Sequence, residues 1–210
     1  MFNKTNGLAS IAFLVMSFAT NAFAATQDIN TGTPVGGNGH FPYAFDSNDF
    51  YAGQVTFSQS TEINSILTYL EGGTAGETFT VSLYNNSSSS LLGNQLYSTK
   101  ATYSTDGWNG LSNLTGWNVN AATYWVAFEI LGGDDLGAGT DTGALLTSGA
   151  PSPLSKTAFN SGSGYGLSSK PMSFGLQVTT PTPVPLPPTF TLMLASLGFL
   201  GFVVRRRKTF

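Results

Sequence analysis

The sequence predicts an all-β domain, an antiparallel two-sheet sandwich of jelly-roll-like or Ig-like kind, carried between two targeting segments. Three observations predict it. Apolar and polar residues alternate with period 2 in several stretches between residues 40 and 180. Gly, Ser, Asn and Asp cluster between those stretches, as turns require. The basic residues sit at the chain ends, with Lys4 near the start and Arg205, Arg206, Arg207 and Lys208 at the finish, leaving residues 25–180 with a net charge of −8.

Residues 1–24 have the three parts of a secretory signal peptide. Lys4 lies in a short polar region, Leu8 to Phe18 is an apolar run of 11 residues, and Ala22 and Ala24 are the small residues that signal peptidase reads before Ala25. An uncleaved N-terminal anchor is the alternative, but the apolar run is short of the roughly 20 residues of a spanning helix. The sequence therefore predicts an exported chain. The Gly/Thr-rich stretch 25–40 reads as a loose arm.

Within the domain, 25–180, strands are expected at Phe50–Phe57, Ile63–Leu70, Thr78–Leu83, Gln95–Tyr103, around Leu114–Val119, at Ala122–Ile130 and at Met172–Val178. In Ala122–Ile130, Tyr124, Val126, Phe128 and Ile130 share one face, while Trp125 and Ala127 make the other apolar too. That pattern belongs to a central strand covered on both sides. Asn85–Ser90, Gly132–Gly143 and Ser161–Gly166 read as loops.

The C-terminus has its own order. Thr179 to Pro188 carries five prolines, which exclude helix and central strand, so residues 181–188 form an extended linker. Thr189 to Val204 follows, 16 residues without a charge. As a helix it spans about 24 Å, short of a hydrocarbon core of about 30 Å, and snorkelling arginines close the gap. The cluster Arg205, Arg206, Arg207 and Lys208, within the tail 205–210, stops transfer and sets the basic end in the cytoplasm.

Composition removes several functions. The chain has no Cys and one His, which excludes disulfides, thiolate metal sites, a cysteine nucleophile and a paired-histidine zinc site. No basic patch offers a footprint for nucleic acid. His40 lies in a glycine-rich arm and no Gly-x-Ser-x-Gly turn accompanies it, so a serine triad is not expected. Glycoside hydrolysis needs only two carboxylates, and Glu129 with Glu77 or Glu62 are the conceivable pair. Weak calcium candidates are Asp134, Asp135 and Asp141 on one loop, and Asp46, Asn48 and Asp49 on another. Turn formation is the better account of both groups, and no cofactor is expected. Trp108 and Trp117, each beside Gly and Asn, read as loop-borne and open for carbohydrate contact. Trp125, inside the strongest strand, reads as core.

The proline-rich motif, apolar helix and basic cluster, from Val184 to Lys208, resemble the PEP-CTERM sorting signal of Gram-negative bacteria. In that family the motif reads Val-Pro-Glu-Pro; here Val184, Pro185 and Pro187 match and Leu186 replaces the glutamate. The resemblance implies processing by an exosortase, a membrane transpeptidase-like enzyme that would cut near the motif and release or transfer the ectodomain to the cell surface. It also implies association with extracellular polysaccharide and biofilm or floc matrix. A plain single-pass C-terminal anchor is the alternative. Ser65–Leu70, Val81–Tyr84 and Thr123–Glu129 together resemble surface sandwiches found upstream of bacterial anchoring tails. The expectation is a non-catalytic surface or matrix protein with a structural or adhesive role. A carbohydrate-binding module and a carboxylate hydrolase are the alternatives.

Overall fold

The computed structural model describes residues 28–35, 42–87, 91–137, 143–169 and 173–181. The signal segment with Ala22, Ala24 and Ala25, the residues His40, Asp141 and Met172, the motif Val184–Pro187, the apolar segment 189–204 and the cluster Arg205–Lys208 lie outside the described residues. Those described form fourteen strands and no helix. In chain order they are β1 (Ile29–Asn30), β2 (Tyr43–Phe45), β3 (Phe50–Phe57), β4 (Thr61–Glu62), β5 (Ser65–Glu71), β6 (Thr78–Asn86) and β7 (Leu92–Thr102). The remainder are β8 (Gly107–Leu111), β9 (Asn118–Val119), β10 (Ala122–Glu129), β11 (Ala144–Leu146), β12 (Thr157–Asn160), β13 (Gly166–Leu167) and β14 (Leu176–Thr179).

Two six-stranded antiparallel sheets face each other, with β4 and β9 forming a small separate ribbon. In the first sheet β5 pairs with β8 along one edge and with β14 and then β11 along the other; β1 extends β14 and β2 extends β11. The second runs β13-β12-β3-β10-β6-β7. The period-2 sequences explain the arrangement, since alternate side chains leave opposite faces of a strand. From β10, Tyr124, Val126 and Phe128 enter the inter-sheet core; from β5, Ile66 and Leu70 do; from β6, Phe79, Val81 and Leu83 do. Rings close the layer: Phe45 of β2 meets Phe79 of β6 edge-on with centroids 5.7 Å apart, and Phe128 meets Phe174 at 6.4 Å. Gly53 of β3 faces the same core with no room for a side chain, because a Cβ there would stand 2.6 Å from Leu154 Cδ1.

Several polar groups inside this layer are hydrogen-bonded, as burial favours, while among the described residues the buried hydroxyls of Thr147 and Ser148 have no partner. The Thr68 hydroxyl, fully buried, donates to the Gly175 carbonyl at 2.9 Å. Asn109 ties the β7–β8 turn: its Oδ1 accepts from Ser104 N (2.9 Å) and its Nδ2 donates to the carbonyls of Thr105 (2.8 Å) and Gly107 (3.0 Å).

Several expectations meet corrections. The segment expected as a loose arm contains β1, and Thr31 continues the attachment by donating its hydroxyl to the Phe174 carbonyl (2.9 Å) and accepting from Leu176 N (2.7 Å). A two-residue strand leaves no periodicity to read. The seven expected strands are joined by β1, β2, β4, β8, β11, β12 and β13, all of five residues or fewer. Around Leu114–Val119 only Asn118–Val119 is strand, and it joins the ribbon.

Candidate functional site

The outer face of the second sheet carries a buried carboxylate. β10 lies between β3 and β6, so Trp125, Ala127 and Glu129 point away from the inter-sheet core. They are nonetheless covered, with Glu129 only 2% exposed. Trp125 packs in a second cluster with Ala52, Ala127 and Ala158, against Tyr84, Leu91, Leu92 and Tyr165. Its indole N–H donates to Asn86 Oδ1 (2.9 Å), which also accepts from Gln54 Nε2 (3.0 Å). The expectation of a two-sided, covered Trp125 is met.

Two tyrosine hydroxyls converge on Glu129. Tyr165 donates to Oε1 at 2.8 Å and Tyr84 to the same oxygen at 3.0 Å, their rings standing edge to face at 6.4 Å. Burial first, and the facing Glu129 charge second, push both hydroxyls far above the ordinary tyrosine range. They act as donors and stay protonated. Tyr165 comes from the Ser161–Gly166 loop, whose turn is held by Asn160 Oδ1 accepting from Gly162 N and Gly164 N, each at 2.9 Å. The cluster fastens this loop onto the sheet. A Tyr165→Phe exchange keeps the ring and deletes one donor to a buried carboxylate. It is expected to cost about 1.5–3 kcal/mol, read from the midpoint of equilibrium urea unfolding; an unchanged midpoint would show that the hydroxyl carries no weight.

The other candidate acids are engaged elsewhere. Glu62, on β4, accepts from Gly116 N at 2.5 Å, and Glu77, in the turn ahead of β6, accepts from Thr74 N at 3.3 Å. Asp134 accepts from the Thr80 hydroxyl (2.6 Å) and from Leu131 N (2.9 Å), and pairs with Lys100 at 3.3 Å. Asp135 accepts from Thr78 N (2.5 Å) and the Thr78 hydroxyl (2.9 Å). Asp46 accepts from Asn48 N at 2.8 Å in the β2–β3 turn. Burial, and then the neighbouring Asp46 charge, raise the Asp49 carboxyl. Among the described residues no three His, Cys, Asp or Glu side chains group as metal ligands.

The Thr78 amide and hydroxyl hold the exposed Asp135 carboxyl below its ordinary 3.8. A depressed carboxylate stabilises the fold above its unfolded value and loses that contribution as pH falls through its lower folded value. Acid unfolding below pH 3.8 is therefore expected to flatten in Asp135→Asn, measured as urea midpoints down to about pH 2. An acid limb identical to that of the parent would contradict this.

The two candidate tryptophans separate. Trp108 is not on a loop: it belongs to β8, lies opposite Tyr69 of β5 on the outer face of the first sheet, and meets that ring edge-on at 5.5 Å. Both are half-buried, with Leu145 on the same face 39% exposed. Trp117 is not open. It is 6% exposed, stacked on Tyr97 at 5.1 Å, and the Tyr97 hydroxyl donates to the Asn118 carbonyl at 3.1 Å. A flanking Gly and Asn mislead in both cases, because they mark a turn next to the ring and say nothing about which way the ring points. Sequence reasoning missed the Glu129–Tyr84–Tyr165 cluster, whose tyrosines lie 45 and 36 residues from the carboxylate; the period-2 pattern brings to this face only β10's own Trp125, Ala127 and Glu129.

Comparison with known proteins bears on the tail. Residues 183–208 match the family model of the PEP-CTERM protein-sorting motif. No curated protein matches the chain. The chain thus carries a PEP-CTERM sorting signal, and that signal implies export, a membrane-anchored intermediate and processing by an exosortase.

Proposed function

We propose that this exosortase-sorted chain is a non-catalytic protein of the cell surface or extracellular matrix, where its sandwich has a structural or adhesive role among exopolysaccharides. The sorting motif at residues 183–208 carries the reading. It is supported by the acids of the domain. Glu129, Glu62, Asp134 and Asp135 each hold the chain's own tyrosines, amides or hydroxyls, which is the work of a scaffold. Signal peptidase and an exosortase are the processing partners, the membrane a transient one, and the matrix the destination. Incubating the purified protein with polysaccharide extracted from its own matrix is expected to retain protein on the polymer and release no new reducing ends. Reducing ends that appear with the parent and vanish with Glu129→Gln would replace the reading with a hydrolase.

One observation favours carbohydrate binding as a second reading. Trp108 and Tyr69 form a half-exposed aromatic step on the outer face of the first sheet, and such faces stack on the apolar faces of sugars. Trp108→Ala is then expected to abolish retardation in a polysaccharide gel while near-UV circular dichroism still reports a folded domain. Retardation equal to that of the parent would remove Trp108 from the site.

A further inference from the structure

We propose that the outer edge of β7 is a self-association surface, on which two copies of this chain pair edge to edge as antiparallel strands. The inference goes beyond the matrix reading and stands on the sheet topology alone. Strands that end a sheet present unpaired backbone N–H and C=O groups, and folds protect themselves by keeping such strands short, charged or interrupted by proline. Here the other terminal strands are short: β13 and β1 have two residues each, β2 three and β8 five. β7 has eleven, about 36 Å of strand. Among the described residues its one strand partner is β6.

Two of the usual protections, proline and free charge, are missing along β7. Leu92 to Thr102 contains no proline and a single charge, Lys100. That charge is already held, by Asp134 at 3.3 Å and by the Gly133 carbonyl. The bulges in the β6–β7 ladder fall between Leu83 and Asn86, opposite the Leu92–Leu96 end, so the stretch facing Thr78–Leu83 keeps regular register from Tyr97 to Thr102. Along it Ser98, Thr99 and Thr102 are exposed, and Leu96, at the register shift just before it, is 44% exposed.

A second copy is the occupant these features fit. Antiparallel pairing about a two-fold axis is self-complementary, so a surface that can bind itself needs no separately shaped partner. Backbone hydrogen bonds supply the attraction, and with Lys100 neutralised within its own chain no like charges are brought face to face. Tethering to one membrane before processing, as the sorting signal implies, raises the effective concentration of such pairs.

The natural absence of cysteine allows a direct test in the full-length chain in its own cells. Leu96→Cys, Ser98→Cys and Thr99→Cys are each exposed to a mild oxidant, with Leu167→Cys on β13 as the control. Residues opposite one another in an antiparallel pair have Cβ atoms about 4.5–5.5 Å apart, close to disulfide reach. Disulfide-linked dimers are expected for at least one β7 position and not for Leu167→Cys. Maleimide-reactive β7 cysteines that never dimerise would overturn the proposal, as would equal dimer yields from the control. In parallel, a Leu96→Lys, Thr99→Lys double variant is expected to self-associate about tenfold more weakly in sedimentation velocity, with near-UV circular dichroism unchanged. A parent that stays monomeric at every concentration, or association undiminished in the folded double variant, would also overturn it. Capture of an extended peptide from another protein in place of self-pairing would count against the proposal in the same way.

Discussion

Alanine in place of Val184, Pro185, Leu186 and Pro187 is expected to leave export intact and to stop processing of the tail, so that the chain accumulates in the membrane fraction with Thr189–Phe210 still attached. The matched sorting motif, residues 183–208, contains a proline-rich, an uncharged and a basic block, for which separate tasks are expected. Proline lacks a backbone donor and favours extended backbone, so the proline-rich first part is expected to be read by an enzyme as a strand-like substrate. The uncharged stretch and the basic cluster are expected to supply membrane insertion and orientation, and neither is touched by the exchange. Export is expected to depend on the signal segment predicted at the other end of the chain. The expected phenotype is therefore all or none at the processing step, visible as a heavier, membrane-bound species on gels of fractionated cells. Processing that continued unchanged would assign the cut to a protease indifferent to the motif.

Phe128→Ala is the substitution expected to damage the fold most. Phe128 sits on β10, inside the second sheet, fully buried, and its ring meets Phe174 from the opposite layer at 6.4 Å with planes 87° apart. Deleting the ring removes buried apolar area and an edge-to-face contact together, and leaves a cavity that two paired sheets cannot close by collapsing. The cost is expected to be about 3–5 kcal/mol, a large part of a domain's total of about 5–15 kcal/mol. Urea unfolding should show a lower midpoint with an unchanged slope. Leu145→Ala, 39% exposed on the outer face of the first sheet, should stay within about 0.5 kcal/mol of the parent. A Phe128→Ala loss no larger than that of Leu145→Ala would contradict the core assigned here.

What the sequence discloses depends on whether its signal is local. Long alternating runs are local, so β3 was legible over Phe50–Phe57 and β10 from Ala122 onward. The sorting tail is legible for the same reason, since proline, apolar and basic blocks follow one another directly. Strands of two to five residues offer too few alternations to count. β8 is hidden further by its glycines: Gly110 adopts φ +150°, and a Cβ there would stand 2.2 Å from the Ile66 carbonyl oxygen. That glycine reads as a turn and serves instead to let β8 approach β5. The direction in which Trp108 and Trp117 face follows from their partner strands and rings, Tyr69 and Tyr97, and no neighbour in sequence reports it. The Glu129 cluster is wholly non-local, because its two donors arrive from β6 and from the loop ahead of β13.

Intact mass spectrometry of the protein recovered from its own cells and from the surrounding matrix tests the sorting account most directly. The account expects a species that begins at Ala25 and ends near Pro185, enriched in the matrix. A species that retains Thr189–Phe210 in every fraction would contradict it and leave an ordinary membrane-anchored ectodomain.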